Sequence, residues 1–257
     1  MNIDLPHVPG RDKKIRNQGI TMVMDKGLSI NQAKNLVDSA EPYIDYVKLG
    51  FGTALITEKL KEKVSLYKKA NIKPYFGGTL YEIFKIRSRF EDFCKFLEKN
   101  KVETAEISDG SIELSHEEKI RDIESLSKNF EVLSEVGSKK ADVIISPDQW
   151  VSLMKSELEA GSSKVIAEAR ESGTIGIFNK DGSVKGELID DISHHVKMEN
   201  VIWEAPKKSQ QVWFIKHFGS NVNLGNIDHT EAIPLEALRL GLRGDTFFEF
   251  LPENLRD

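Results

Sequence analysis

Eight short apolar stretches recur along the chain, separated by longer segments in which apolar residues follow helical spacing. The stretches are residues 19–25, 43–50, 72–78, 104–110, 131–137, 164–170, 201–206 and 222–227. No two neighbouring stretches are joined by a two-residue hairpin turn, which favours a parallel sheet with helical crossovers. Eight such units in 257 residues match one (β/α)8 TIM barrel, an α/β fold with eight parallel strands. A doubly wound open sheet is the alternative, but no G-x-G-x-x-G turn follows the first stretch.

The segments between the apolar stretches carry helix signals. Apolar spacing predicts one long amphipathic helix over residues 82–100. Ser115, followed three residues later by Glu118, forms a capping box that predicts a helix start. Pro147 suits the first turn of another helix, and Gly161 suits its exit. Residues 1–18 are polar and contain two prolines, so we predict a loose N-terminal arm over 1–18 and a single barrel domain over 19–257.

Charged side chains occur where the apolar stretches end, and in a (β/α)8 barrel these carboxyl ends surround one mouth. Four glutamates occupy similar late positions in four successive stretches: Glu106, Glu135, Glu168 and Glu204. Like charges at short range raise one another's pKa unless a divalent cation, a basic side chain or protonation relieves them. Because the donors are all oxygen atoms, Mg²⁺ or Mn²⁺ is favoured over zinc. The alternative is a charge network in which Lys48, Arg170 and Lys139 pair with these glutamates.

Two lysines are candidates for a proton donor, because lysine can protonate a carbanion when burial or its neighbours lower its pKa. Lys48 lies in the second stretch and is predicted to point into the barrel. Lys139 follows Glu135 in a loop that begins at Gly137. For Lys48, the alternative role is that of a partner for the glutamates.

Several loop residues are candidates for binding an anionic substrate. They are Arg170, Ser172, Gly173, Gly176, Gln210 and Asn226. Arg170 and the backbone amides of the glycine-containing loop after it can hold a phosphate or sulfonate group. Gln210 is predicted near the start of a helix, where the N-terminus favours anions. Arg239, by contrast, lies in a helix leaving the eighth strand, which predicts a structural or subunit-contact role at the opposite face.

Composition narrows the range of partners. The net charge of −5 argues against nucleic acid as the main partner, because phosphate backbones require a basic face. Cys94 is the single cysteine, which excludes an internal disulfide and fits a reducing compartment. No apolar run approaches the roughly 20 residues that cross a bilayer, and residues 1–18 lack a secretory signal. We predict a cytoplasmic protein without a membrane partner, and the aromatic residues Phe247 and Phe248 suggest a homo-oligomer.

Eight sequence segments, distributed between residues 19 and 248, carry a resemblance to a known family. They are DYVKLGFGT, YFGGTLYE, EISDGSIELS, VLSEVGSKK, EARESGT, WEAPKKSQQ, VNLGNI and LEALRLGLRGDTF. In these segments the chain resembles the phosphosulfolactate synthases, which catalyse the first step from phosphoenolpyruvate toward coenzyme M. A plant heat-stress protein is related to that family. Phe51 stands where the family usually has tryptophan, and Gly225 stands where alanine is common.

The resemblance implies a Mg²⁺-dependent lyase that adds sulfite to phosphoenolpyruvate and forms (2R)-phospho-3-sulfolactate. It implies that Lys139 is the general acid, so Lys139 is preferred to Lys48 for that role, and that some of the four glutamates hold Mg²⁺. Two other functions remain open. One is a non-catalytic barrel that protects against stress, as the plant relative suggests. The other is a phosphoenolpyruvate enzyme that uses a nucleophile other than sulfite.

Overall fold

Eight parallel strands follow one another around a closed barrel in the computed structural model, which describes residues 2–137 and 145–256. The strands are β1 (Thr21–Asp25), β2 (Tyr46–Leu49), β3 (Lys73–Phe76), β4 (Thr104–Ile107), β5 (Glu131–Val136), β6 (Ser162–Ala167), β7 (Val201–Glu204) and β8 (Leu224–Asp228). Strand β8 pairs in parallel with β1 and closes the barrel. The predicted (β/α)8 barrel is therefore confirmed, and the open-sheet alternative is excluded.

Helices connect the strands on the outside of the barrel. In the described residues they are α1 (Ile30–Ala40), α2 (Leu60–Lys69), α3 (Gly78–Lys85), α4 (Phe90–Lys99), α5 (His116–Leu126), α6 (Pro147–Glu159), α7 (Gly186–His195), α8 (Lys208–Phe218) and α9 (Ala232–Arg239). The predicted capping box of Ser115 and Glu118 is present, and Pro147 occupies the first turn of α6. None of the helices in these residues is long and apolar enough to cross a membrane.

The prediction of one long helix over residues 82–100 is wrong. The chain forms α3 and α4 instead, and Ser88 between them adopts a left-handed conformation with φ of 54°. The carbonyl of Phe84 accepts hydrogen bonds from the amides of both Arg87 and Arg89, which ends α3. The turn lets the ring of Phe84 pack against Phe93 of α4, with centroids 6.0 Å apart. Tertiary packing between the two short helices thus outweighs the continuous apolar spacing.

Side chains that alternate along the strands fill the barrel in layers. At the amino ends of the strands, Glu131 accepts hydrogen bonds from Tyr46, Lys73 and Thr104. Four residues further along β5, Glu135 points into the barrel near the carboxyl ends of the strands. The strand pattern therefore places one polar layer at each end of the barrel, and the layer at the carboxyl end forms the site described below.

Ion pairs attach residues 11–16 of the predicted N-terminal arm to the barrel. Arg11 makes a two-pronged contact with Glu236, with both nitrogen–oxygen distances at 3.0 Å. Arg16 is buried and pairs with Asp45 at 2.9 Å. Such charge-assisted contacts fix the segment in one position against the barrel.

Arg239 has the structural role that the sequence predicted. Its side chain is fully buried and donates hydrogen bonds to the carbonyls of Ser220, Val222 and Ile20, at 2.6, 2.7 and 3.1 Å. These carbonyls flank the amino ends of β8 and β1, far along the strands from the mouth. Burial lowers the pKa of Arg239 to about 9, which leaves the guanidinium charged at neutral pH.

Replacing Arg239 by methionine is expected to reduce the free energy of unfolding by about 3 kcal/mol, because three buried carbonyls lose charged donors. Urea denaturation followed by fluorescence measures this change. Arg121 is exposed on α5, and Arg121→Met should change the same quantity by about 0.5 kcal/mol or less. Equal stabilities of the two variants would contradict the structural role of Arg239.

Candidate active site

A buried lysine lies among carboxylates at the carboxyl ends of the strands. The Nζ atom of Lys48 on β2 is 3.0 Å from Glu106, 3.5 Å from Glu135 and 3.4 Å from Glu204. These three glutamates come from β4, β5 and β7, so the barrel brings together residues that are far apart in sequence. The fourth predicted glutamate, Glu168, directly follows β6 and is also buried.

The charges in this cluster shift one another's pKa. Burial acts to lower the pKa of Lys48, but the negative charges of Glu106 and Glu204 outweigh burial and raise it well above its usual value. Burial raises the pKa of Glu204 to about 7, against the opposing effect of Lys48. Burial also raises the pKa of Glu106. Lys48 is therefore a fixed cation at neutral pH, surrounded by carboxylates that require further positive charge.

Backbone amides hold three of the glutamates in place. Glu106 accepts a hydrogen bond from the amide of Gly78 at the start of α3. Glu204 accepts one from the amide of Ala169 at 2.9 Å, and Glu168 accepts one from Arg170 at 2.6 Å. The carboxylates therefore have defined orientations that the chain itself enforces.

Three of the four glutamates are arranged as a group that fits a divalent cation. One carboxylate oxygen from each of Glu135, Glu168 and Glu204 lies within 4.8 Å of the others, and all three residues are buried. Oxygens on opposite sides of a Mg²⁺ ion lie about 4.2 Å apart, so small side-chain movements complete such a site. Glu106 lies outside this group and is the nearest carboxylate to Lys48. Glu135 and Glu204 belong both to this group and to the neighbours of Lys48, so the geometry is compatible with both roles that the sequence left open, metal ligand and lysine partner.

A pocket of about 370 Å³ opens above the cluster. Its lining includes seven of the predicted site residues: Lys48, Glu106, Glu135, Arg170, Ser172, Glu204 and Asn226. It also includes residues that the sequence analysis did not select: Met24, Gly50, Gly77, Thr79 and Glu171. The pair Gly77-Gly78 at the end of the third apolar stretch was an available signal, because adjacent glycines at a strand end allow close approach to a ligand.

Three residues of the pocket wall have left-handed backbone conformations that are uncommon for residues other than glycine. Phe51, Arg170 and Asn226 have φ values of 57°, 52° and 55°, and all three line the pocket. Such strain concentrates at functional sites, where the surrounding structure enforces it. Arg170 is exposed and its guanidinium has no partner among the described residues, while the buried Oδ1 of Asn226 accepts no hydrogen bond there. Both groups are available to a ligand.

Three of the predicted anion-binding residues do not line this pocket: Gln210, Gly173 and Gly176. The Gln210 side chain is buried and donates to the carbonyls of Gly173 and Gly182, at 2.8 and 3.1 Å. A Cβ atom at Gly173 would meet the Gln210 amide at 2.6 Å, and one at Gly176 would lie 1.8 Å from the Glu168 carbonyl. These three residues support the loop that carries Arg170. Lys139, the predicted general acid, lies outside the described residues.

Asp25, the last residue of β1, does not line the pocket. It is fully buried and pairs with Lys63 of α2 at 3.0 Å. It accepts further hydrogen bonds from Tyr67 and from the amides of Gly27 and Leu28. With these partners, Asp25 fixes the turn between β1 and α1 instead of lining the pocket.

A parallel (β/α)8 barrel with a buried cluster of ionisable residues and a pocket at the carboxyl ends of its strands is the architecture of a barrel enzyme. The chain belongs to the (2R)-phospho-3-sulfolactate synthase (ComA) family, whose model matches residues 9–245.

Individual relatives agree with this family assignment. The chain is 43% identical over 244 residues to the phosphosulfolactate synthase of Methanothermobacter thermautotrophicus, covering 93% of this chain and 95% of the relative. The phosphosulfolactate synthase of Methanocaldococcus jannaschii is 45% identical over 236 residues, covering 90% and 94%. Protein HEAT-STRESS-ASSOCIATED 32 of Arabidopsis thaliana is 20% identical over 258 residues, covering 89% and 88%. These similarities indicate an enzyme of the phosphosulfolactate synthase family.

Solved structures share the fold. The YdjI aldolase of Escherichia coli K12 superposes with a TM-score of 0.57 at 13% sequence identity, covering 82% of this chain and 75% of that chain. At this low identity, the similarity extends to the barrel architecture alone.

Proposed function

We propose that this enzyme is a lyase that adds sulfite to phosphoenolpyruvate and forms (2R)-phospho-3-sulfolactate, with Mg²⁺ as its cofactor. The observation that carries the proposal is the pocket itself. A fixed cation, a guanidinium without a partner among the described residues and a group of buried carboxylates converge there. Two anionic reactants repel each other, so their union requires gathered positive charge. Membership of the family supports this choice of substrates.

The reaction is an addition in which atoms and charge balance. The sulfur lone pair of sulfite attacks C3 of phosphoenolpyruvate and forms a carbon–sulfur bond. The electrons of the C2–C3 double bond move toward the carboxylate, which becomes an aci-carboxylate with an additional negative charge. A general acid then gives a proton to C2, and the phosphate ester stays intact. The protein must therefore stabilise charge on the substrate carboxylate and deliver one proton to one face of C2.

Lys48 is suited to stabilising the negative charge on the substrate carboxylate. Its raised pKa keeps the ammonium charged throughout the reaction and makes it a poor proton donor. Its position on the pocket floor, among Glu106, Glu135 and Glu204, lets it attract the developing aci-carboxylate. The proton donor is then Lys139, the lysine to which the family resemblance gives this role.

The three clustered glutamates Glu135, Glu168 and Glu204 would hold the Mg²⁺ ion. Their oxygen donors, burial and mutual proximity support this assignment. When bound, the ion would supply Lewis-acid stabilisation of the negative charge that builds on the substrate carboxylate. The backbone amides of Ala169 and Arg170 orient two of the ligands before any ion arrives.

Arg170, Ser172 and Asn226 line the pocket wall above the cluster and would bind the phosphate or sulfite group. A guanidinium forms paired hydrogen bonds with such oxyanions. Arg170 directly follows Glu168 and Ala169 in the chain, so one short segment would carry both a ligand of the cation and a residue that binds the anion.

Replacing Gln210 tests whether its hydrogen bonds hold the loop that carries Arg170. The Gln210→Ala change removes the donors to Gly173 and Gly182 and should loosen the loop that carries Arg170. We expect the KM for phosphoenolpyruvate to rise about tenfold, the equivalent of ~1.4 kcal/mol, with a smaller change in kcat. Steady-state kinetics measure both constants. Gln18 is exposed in the N-terminal segment, so Gln18→Ala serves as a control that keeps the wild-type KM, and a wild-type KM in Gln210→Ala would contradict this role.

Carbon NMR with phosphoenolpyruvate labelled with carbon-13 at C3 tests the choice of nucleophile. With sulfite, the vinyl carbon signal should be replaced by that of a saturated methylene attached to a sulfonate. Sulfate has no lone pair on sulfur and should give no such product. If labelled phosphoenolpyruvate is consumed without sulfite, or only with another nucleophile, the result would favour a different phosphoenolpyruvate enzyme. No consumption with any nucleophile would favour the non-catalytic stress-protection barrel suggested by the plant relative.

The predicted homo-oligomer and cytoplasmic location remain predictions from the sequence. They do not enter the proposed reaction, because each residue assigned to it lies in one chain.

A further inference from the structure

A second buried lysine, Lys119 of α5, lies behind the strands that carry Glu106 and Glu135. Its Nζ atom has three partners: the carboxylate of Glu157 at 2.7 Å, the carboxylate of Asp109 at 3.0 Å, and the backbone carbonyl of Glu135 at 2.6 Å. The contacts with Asp109 and the Glu135 carbonyl are hydrogen bonds, and the contact with Glu157 is an ion pair. Lys119 and Glu157 are each 1% exposed.

These contacts join the carboxyl ends of two neighbouring strands. Asp109 follows β4, the strand that carries Glu106, and Glu135 lies in β5. The side chain of Glu135 points into the site, 3.5 Å from the Lys48 ammonium and close to Glu168 and Glu204. The backbone of a site residue is therefore held by a charge on the outer side of the barrel wall.

This arrangement is costly for stability alone. Each buried charge loses its hydration, and an apolar pair of similar volume is often as stable or more stable. Burial acts to lower the pKa of Lys119, but Glu157 and Asp109 outweigh burial and raise it, so the group stays charged. A charged donor makes a stronger hydrogen bond to a carbonyl than a neutral one. The gain from Lys119 is thus the fixed position of the Glu135 backbone.

We propose that Lys119, held by Glu157, is a positioning residue that sets the Glu135 carboxylate for binding the divalent cation. This role rests on the cation site of the proposed function. It concerns binding of the ion, so it does not depend on which reaction the enzyme catalyses. Partners that orient metal ligands in this way typically change metal affinity by about 10- to 100-fold.

Binding of Mn²⁺, followed by the electron paramagnetic resonance of the free ion, tests the proposal without phosphoenolpyruvate or sulfite. Lys119→Met should weaken Mn²⁺ binding by about 10- to 100-fold, and it also leaves Glu157 buried without its cation. The double variant Lys119→Met, Glu157→Met removes both charges and should recover the wild-type unfolding midpoint. It should nevertheless retain the weakened binding, because the Glu135 carbonyl still lacks its donor.

Glu157→Gln provides a second test, because it removes the charge of Glu157 and keeps the size and shape of the side chain. It should weaken Mn²⁺ binding less than Lys119→Met does, because Lys119 keeps its contacts with Asp109 and Glu135. Lys155 is exposed on the same helix as Glu157, and Lys155→Met should bind Mn²⁺ as the wild type does.

Wild-type Mn²⁺ affinity in a stable double variant would overturn the proposal and leave Lys119 and Glu157 as a structural pair. Failure of the wild-type protein to bind Mn²⁺ would overturn it as well. If the variants shift Mn²⁺ affinity as expected but the wild type forms no sulfonate product, the positioning role stands and the proposed reaction fails. The two proposals are therefore separated by independent measurements.

Discussion

Replacing Glu204 by glutamine should abolish most activity without destabilising the protein. The side chain is buried, its pKa is raised to about 7, and it lies 3.4 Å from Lys48. As a proposed ligand of the divalent cation it cannot be replaced by an uncharged amide without loss of affinity for the ion. We expect kcat/KM to fall on the order of 10³-fold. Glu187 is exposed on α7, and Glu187→Gln should keep wild-type activity.

Glu204→Gln should lower activity but make the metal-free protein more stable than the wild type at neutral pH. A carboxyl group whose folded pKa lies above its unfolded pKa favours the folded state at low pH, and this contribution is lost as the pH rises through both values. The metal-free wild type should therefore lose stability between about pH 4.5 and pH 7, and Glu204→Gln should reduce that loss. Urea unfolding at pH 5 and pH 8 in the presence of a chelator measures the difference. A strongly destabilised but active variant would mean that Glu204 serves only the internal ion pairs.

Replacing Lys48 by methionine should impair both stability and catalysis. Glu106, Glu135 and Glu204 would remain buried without their shared cation. Breaking a buried ion pair on one side typically costs about 3–5 kcal/mol. Because Lys48 is also the proposed partner of the aci-carboxylate, kcat should fall by about 10²- to 10³-fold. Kinetics at saturating substrate and urea unfolding measure the two effects.

The double variant Lys48→Met, Glu106→Gln separates these effects. Glu106 is the carboxylate nearest to Lys48, at 3.0 Å, so its neutralisation removes the largest repulsion that the single change creates. Stability should recover while kcat stays low. Recovery of both would assign Lys48 to structure alone.

The barrel was predictable from the sequence because its strands are short, apolar and separated by helical segments throughout. The carboxyl-end positions of Glu106, Glu135, Glu168 and Glu204 followed from the same regularity, since parallel strands present corresponding residues at one mouth. The structure accordingly brings one oxygen from each of three of them within 4.8 Å. This part of the site depends on position along a strand, which a sequence records directly.

The remaining features depend on side-chain contacts that the local sequence pattern does not record. The break between α3 and α4 arises from packing of Phe84 on Phe93 and Phe96, and apolar periodicity carries no sign of it. Gln210 was predicted to bind substrate because it lies near a helix start, yet its amide holds the carbonyl of Gly173, 37 residues earlier. Local patterns identify such residues as polar and buried but do not name their partners.

The backbone conformation of the pocket wall was not predicted from the sequence. Phe51, Arg170 and Asn226 all adopt left-handed conformations, and none belongs to the residue type that normally signals such a turn, which is glycine. The family resemblance drew attention to Phe51 by its departure from tryptophan, and the structure places it in the pocket lining. Strain of this kind is imposed by the folded barrel and becomes visible only with coordinates.

Phosphorus NMR of the purified protein with phosphoenolpyruvate tests the central claim most directly, with sulfite and Mg²⁺ each present or omitted. The proposed reaction predicts a new phosphate ester signal that requires both sulfite and Mg²⁺, without release of inorganic phosphate. The absence of a new ester signal with sulfite and any divalent metal would contradict the claim.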